Sequence, residues 1–254
     1  MIKLIIFFFI IFYFNSAISR DAGETEITTE DGIEVFQEEK YYLLKKNVII
    51  SSDELELSGQ HVKIYFDKDL YDIKELIANE DVKFESIGYS ISGKGDKLKF
   101  NIKNQEISVY GNKSELFLEN TQMLSDGEIY VNNIAGTFLI KGPNSNLISE
   151  NILINGSKIT GTFEVFNNKK SIAELIVEDE EKLNIKTDDL IMFSKKAIYR
   201  KQKSIIELFD NVQISRGNET ITGDYGILDT KKNSYKVSSK KSNKVKAIII
   251  GSDE

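Results

Sequence analysis

Cysteine and tryptophan are absent from this 254-residue chain, and proline and histidine occur once each, at Pro143 and His61. Without thiols there is no disulfide framework, no thiolate metal site and no cysteine nucleophile. With one histidine, a Ser-His-Asp relay would have to be built on His61 alone. The Asp and Glu residues are spread along polar strand faces, without the convergent pair that acid/base chemistry needs. The scarcity of proline leaves strand pairing almost uninterrupted. Positive charge is also in deficit. The 33 Lys and Arg stand against 40 Asp and Glu, a net charge of -7, which argues against a nucleic-acid partner. Gly93-Lys94-Gly95 lacks the rest of a phosphate-binding loop and reads as a bend. Asp224 and Asp229 read as turn and strand-end acids ahead of calcium ligands. The expectation is a non-enzymatic protein with no cofactor and no metal.

A long apolar run is missing as well. Leu4 to Phe14 form an apolar stretch that falls short of the roughly 20 residues a membrane-spanning helix needs. Lys3 precedes it, and Asn15 to Ser19 follow as a small, polar end with Ala17 and Ser19 placed for signal-peptidase recognition. The segment 1–19 is therefore read as a cleaved signal peptide, with cleavage after Ser19 ahead of Ala17. An uncleaved anchor is the alternative.

What the chain does contain is alternation. From Ile27 onward apolar residues recur with a period of two, as in Val62, Ile64 and Phe66, Leu98, Phe100 and Ile102, and Leu116 and Leu118. The same period returns in Ile129 and Val131, Ile152 and Ile154, Leu183 and Ile185, and Val212 and Ile214. A helix would space them three and four apart, so these are strands with one apolar face. Asp126-Gly127 and Asn155-Gly156 carry two-residue hairpin signals, and Gly142-Pro143-Asn144 and Asn167-Asn168-Lys169 suit longer loops. Asp67 to Glu75 and Ile172 to Glu181 interrupt the pattern and leave room for a helical turn. The fold class is all-β, with no significant helix after the leader. Residues 20–254 form one continuous sheet domain, with a weaker join near 141–150.

One phrase recurs three times. Asn47-Val48 is followed by Gly59, then Val62, Ile64, Phe66 and Asp67. Asp81-Val82 is followed by Gly93, then Leu98, Phe100 and Asn101. Asn211-Val212 is followed by Gly223, then Ile227, Leu228 and Asp229, with a turn at Arg216-Gly217-Asn218 between. Repetition of a hairpin-like unit marks a stacked β architecture in which each unit buries its apolar face on its neighbours.

These copies resemble the repeat of the OstA/LptA family of periplasmic lipopolysaccharide-transport proteins. That repeat runs loosely as strand, Gly-Asn-Val, strand, turn, Gly-Asp, strand, aromatic-Asp. The last copy matches best, with Asn211-Val212, Gly217-Asn218 and Gly223-Asp224 in place, and Ile27 to Val35 resembles the family's opening strand. The first copy departs with Gly59-Gln60, and the second with Asp81 for Asn and with Gly95-Asp96 as an alternative Gly-Asp.

The resemblance implies an open β-jelly roll, or β-taco, whose interior is an apolar groove that receives the acyl chains of lipid A. It assigns lipid binding to the inward residues Ile27, Val48, Ile50, Leu57, Val62, Ile64, Phe66, Val82, Phe84, Leu98, Phe100, Ile107, Val109, Leu116, Leu118, Ile129, Val131, Val212 and Ile214. It also implies a periplasmic location and a bridge that carries lipopolysaccharide from inner to outer membrane. The implied partners are an inner-membrane LptC-like protein and an outer-membrane LptD-like protein, both joined by edge-strand addition, together with self-association. Two other readings stand beside this one: a membrane-anchored LptC-like component with an uncleaved leader, and a secreted structural or adhesive β-solenoid with no lipid site. A tail with Lys231, Lys232, Lys236, Lys240, Lys241, Lys244 and Lys246 suits either lipid phosphates or a solubilising edge.

Overall fold

The structure, a computed structural model, describes residues 23–68, 72–150, 152–166, 169–240 and 243–250. The expected signal peptide lies outside the described residues. Its strands are β1 (Glu26–Thr28), β2 (Ile33–Phe36), β3 (Tyr41–Ser51), β4 (Leu55–Phe66), β5 (Ile73–Ser86), β6 (Ile91–Asn101) and β7 (Glu106–Tyr110). Next come β8 (Ser114–Leu118), β9 (Thr121–Ser125), β10 (Glu128–Asn132), β11 (Thr137–Lys141), β12 (Asn146–Ser149), β13 (Ile152–Asn155) and β14 (Lys158–Phe166). The series ends with β15 (Lys169–Lys186), β16 (Ile191–Arg200), β17 (Ile205–Arg216), β18 (Glu219–Asp229), β19 (Ser234–Ser238) and β20 (Lys246–Ile249). Among the described residues a single 3₁₀ turn, Lys201–Lys203, interrupts them.

All pairings are antiparallel, and they sort into two leaves. Leaf A runs β2, β3, β4, β5, β6, β7, β10, β11, β14, β15, β16, β17, β18, β19. Leaf B runs β1, β3, β4, β5, β6, β8, β9, β12, β13, β15, β16, β17, β18, β20. The long strands at both ends cross from one leaf to the other, while short strands in the middle belong to one leaf each. The alternation gives each leaf one apolar face. Both faces are buried to within a few per cent in one continuous cluster, so the leaves cover each other like the halves of a folded sheet.

The recurring phrase is the crease. On β3, β5 and β17 two successive residues take left-handed backbone: Lys46-Asn47, Glu80-Asp81 and Asp210-Asn211, with φ between 50° and 67°. Asn and Asp tolerate that conformation better than other side chains and hold the second position of each pair, and two left-handed residues in succession turn the strand out of its plane. The valine that follows lies opposite a crease glycine on the returning strand: Val48 opposite Gly59, Val82 opposite Gly95, Val212 opposite Gly223. In the second copy the crease glycine is therefore Gly95 and not Gly93, which sits inside leaf B opposite Phe84. The residue after the glycine caps a neighbouring strand: Gln60 accepts the Asn47 N–H, Asp96 the Asn112 N–H and Asp224 the Lys240 N–H.

Two expected hairpins are corrected. Strands β9 and β10 do not pair with each other, nor do β11 with β12 or β13 with β14. Asp126-Gly127 and Asn155-Gly156 are not hairpins but crossings of the crease, where the same turn chemistry carries the chain from leaf to leaf, and the expected loop at Gly142-Pro143-Asn144 is a third crossing. Small residues are needed there because backbones pass closely: a Cβ on Gly142 would lie 2.9 Å from Gly127 Cα. Neither irregular stretch forms a helical turn among its described residues, and 69–71 lie outside them. Ile73 begins β5, and Ile172 to Glu181 lie within β15. The opening strand is split into β1 and β2, both on β3. Residues 141–150 hold the end of β11, a crease crossing and β12, hydrogen-bonded on both sides. The Gly217-Asn218 turn is a true hairpin, with Arg216 opposite Glu219.

Candidate functional site

The residues singled out for a lipid groove all lie on the inner faces. Ile27 is half-buried against the core, and every other one is 7% exposed or less. They meet each other across the fold, so most of the interior is filled by the protein's own side chains. Tyr89, on the leaf B rim, closes onto Phe100 of leaf A with ring centroids 6.0 Å apart.

The interior opens at a seam, a cavity of about 110 Å³ between β12–β13 of leaf B and β15–β17 of leaf A. Its floor is Leu147, Ile152, Ile154, Ile172, Leu175, Val177, Ile185, Ala197 and Ile206, and its rim is Ser149, Glu150, Ser171, Tyr199 and Lys201. Ala197 explains the space. Neighbouring inward positions in leaf A carry Val177 and Leu208, and Ala197 between them stops at Cβ. None of the groove candidates lines the seam. Ile152, Ile154 and Ile185 stand out in the alternation, but an alanine inside a strand gives no signal of a void.

Two closures of the mouth flank the seam. On one side the β14–β15 hairpin continues past the rim as an arm, bent by a register shift between Thr162 and Phe163. The Phe163 N–H donates to Gly136 O at 2.7 Å, and its ring lies 4.7 Å from that of Phe138. Beyond the bend, the Lys170 N–H donates to Glu119 Oε2 on the leaf B rim at 2.9 Å, while Lys170 Nζ donates to Asn133 Oδ1 on the leaf A rim. Burial pushes the Lys170 ammonium below its ordinary pKa, and the Glu119 carboxylate opposes that shift. On the other side Arg216 Nη2 donates to Asn233 Oδ1 at 2.5 Å, and Asn233 Nδ2 to Asp189 Oδ2 at 3.4 Å. Between these closures Lys201 Nζ is held by Ser171 Oγ and Glu164 Oε1, each at 2.7 Å. Burial raises the Tyr199 pKa, keeping its hydroxyl protonated. The opening is thus apolar inside, with a rim of hydroxyls, the Glu150 carboxylate and one compensated cation, an interior suited to a hydrocarbon chain.

Polar groups elsewhere are occupied by structural work. Glu178 lies between Lys158 and Lys196 at 3.5 and 2.9 Å, and Glu207 accepts from Arg200 at 2.6 Å and from the Tyr225 hydroxyl at 2.8 Å. His61 faces Glu80 at 3.5 Å on the open surface. Asp224 and Asp229, weighed above as calcium ligands, accept backbone N–H groups of Lys240 and of Lys231 and Lys232. No group of metal-ligating side chains gathers among the described residues.

No protein-family model matches the chain, and no curated protein matches it. A solved structure aligns with it: LptH, the LptA-homologous periplasmic component of the lipopolysaccharide transport device of Pseudomonas aeruginosa. That alignment covers 90% of this chain and 96% of LptH at 7% identity, with a TM-score of 0.23. A superposition of that size carries no argument, and the all-β architecture of creased antiparallel leaves stands on the chain's own hydrogen bonding.

Proposed function

We propose that this protein is a non-enzymatic periplasmic lipid carrier that shelters acyl chains of lipopolysaccharide between its two leaves during passage from inner to outer membrane. The observation that carries the reading is the seam, an apolar opening into an interior that runs unbroken from one end of the fold to the other. Each acyl CH₂ taken from water contributes about 0.8 kcal/mol, so even a short length of sheltered chain gives useful affinity without any catalytic group. The repeat resemblance supplies the cargo class. The sheet ends supply the docking edges: β1 and β2 with Ile33 and Val35 about half exposed, and β20 with Ile248 and Ile249 exposed. Unpaired edges of this kind accept a strand from an LptC-like or LptD-like partner, or from a second copy.

A photo-crosslinking residue at Ile154 or Leu175 tests this, with lipopolysaccharide as the probe and Phe100 as the sealed-core control. Capture at the seam and not at Phe100 is expected. Absence of capture at both seam positions in folded protein overturns the carrier reading. It favours instead a structural β-solenoid, to which the filled core at Leu98, Val109 and Ile129 already lends itself.

A further inference from the structure

The lysine-rich tail has no part in the seam, and the fold gathers it at one end of the molecule. There β19 closes leaf A and β20 closes leaf B. Lys231, Lys232 and Lys236 lie along the leaf A edge, Lys240 follows β19, and Lys244 and Lys246 lie along the leaf B edge, all of them exposed. Of these six, only Lys232 has an ion pair among the described residues, with Asp229 at 3.5 Å. Glu219 lies opposite Ile249, while Asp224 and Asp229 turn their carboxylates to backbone N–H groups. The leaf B edge is also apolar: Ile249 is 74% exposed and Ile250 66%. The other end of the fold carries the opposite sign. Glu26, Asp31, Glu38 and Glu39 are exposed there, and Glu30 and Glu34 are matched by Lys46 and Lys45. A chain with one positive and one negative end turns the positive one toward an anionic surface.

We propose that the C-terminal end is a docking surface for an anionic lipid bilayer, with the lysines against the lipid phosphates and Ile249 and Ile250 in the headgroup layer. A bilayer fits these residues better than a protein partner does. Protein interfaces are enriched in Arg and depleted in Lys, and the exposed cations along β19, β20 and the segments beside them are all Lys. Lysines beside aliphatic side chains need no matching shape on a membrane, and each one near an anionic leaflet raises affinity about fivefold. The surface is remote from the seam, so the proposal stands apart from the carrier reading. A bilayer against this end covers β20, so docking there and addition of a partner's strand exclude each other.

The test uses residues 20–254, which contain every described strand, with vesicles of phosphatidylcholine alone or mixed with phosphatidylglycerol. Co-sedimentation with the mixed vesicles and not with the neutral ones is expected, weakening as salt rises. Lys236→Glu with Lys246→Glu should lower the partition coefficient about twentyfold or more. Lys97→Glu with Lys141→Glu makes the same charge change on the outer face of leaf A and should alter it less than about threefold. Because the chain has no cysteine, Ile249→Cys can carry an environment-sensitive dye that reads the contact without altering a lysine. Its emission should shift to the blue on mixed vesicles, and that of a dye at Ile191→Cys, on the outer face of leaf B, should not. Circular dichroism checks that each variant is folded. Absence of binding to mixed vesicles at low salt overturns the proposal, as does an equal loss in both lysine pairs. Lysines also keep edge strands from pairing. If Lys236→Glu with Lys246→Glu aggregates, or dissociates an oligomer on gel filtration, while vesicle binding persists, the lysines serve the edge or a second copy and the dock is overturned.

Discussion

Ala197→Leu is the substitution that separates a usable seam from a packing defect. Ala197 is 1% exposed and faces a cavity of about 110 Å³. Filling such a void recovers at most about 2.5 kcal/mol at roughly 24 cal/mol per Å³. Strain from the larger side chain offsets about 1–3 kcal/mol of that, so net stability should change by no more than about 1.5 kcal/mol. Lipid binding should respond quite differently. The void accommodates three or four methylene-sized groups at about 30 Å³ each. Displacing them removes about 2.5–3 kcal/mol of transfer free energy, a loss of affinity near a hundredfold. Chemical denaturation measures the first quantity, and titration with a fluorescent fatty acid measures the second. A folded Ala197→Leu protein that binds the fatty acid as well as wild type would refute the assignment of the seam as the site.

Other expectations follow from the same geometry. Gly95→Ala places a Cβ 2.6 Å from Val109 Cγ1 and 2.9 Å from Tyr110 O, whereas Gly88→Ala meets nothing within 4 Å. The first should cost about 2 kcal/mol or more and the second under about 0.5 kcal/mol, compared by urea midpoints. Phe100→Ala should cost about 3–5 kcal/mol in the same assay, and a cost under about 1 kcal/mol would mean the core is not closed there. Acid should destabilise the fold from one side only. Glu207 is held below its ordinary pKa by the Tyr225 hydroxyl and Arg200, and Glu178 by Lys196 and Lys158. Burial opposes ionisation of Asp179 and Glu115, but the N–H groups of Lys182, Glu181 and Ser157 outweigh it at the first, and Lys94 and Gln122 at the second. Their stabilisation is complete above the ordinary Glu and Asp values of 4.5 and 3.8 and is lost as pH falls through the lowered folded values. Denaturation midpoints should therefore be flat above about pH 5 and fall below it. A midpoint that stayed constant down to about pH 3 would contradict these pairings.

Period-two alternation made the strands and their inward faces legible from sequence, because one side of every strand must be apolar when the leaves cover each other. Val62, Leu98, Ile129 and Val212 are examples, each 1% exposed or less. The crease was half legible. Asn47, Asp81 and Asn211 signal left-handed backbone, but their partners Lys46 and Glu80 do not, and turn chemistry at Asp126-Gly127 reads alike for a hairpin and a leaf crossing. Gly93 and Gly95 lie two residues apart on the same face, so only strand register tells which one meets Val82. The seam was not legible. It depends on Ala197 being small opposite particular neighbours, and on a hairpin arm whose length beyond the rim is fixed by where β11 and β16 end. Both are facts of register between distant strands, which composition and spacing do not encode.

The central claim, that hydrocarbon enters between the leaves through this seam, is tested most directly by methyl-detected NMR with a fatty acid carrying a nitroxide on its chain. The account predicts selective broadening of the Ile154, Leu175, Val177 and Ile185 methyl signals. Broadening confined to the exposed edge residues Ile33, Val35 and Ile249, with the seam methyls unaffected, would contradict it.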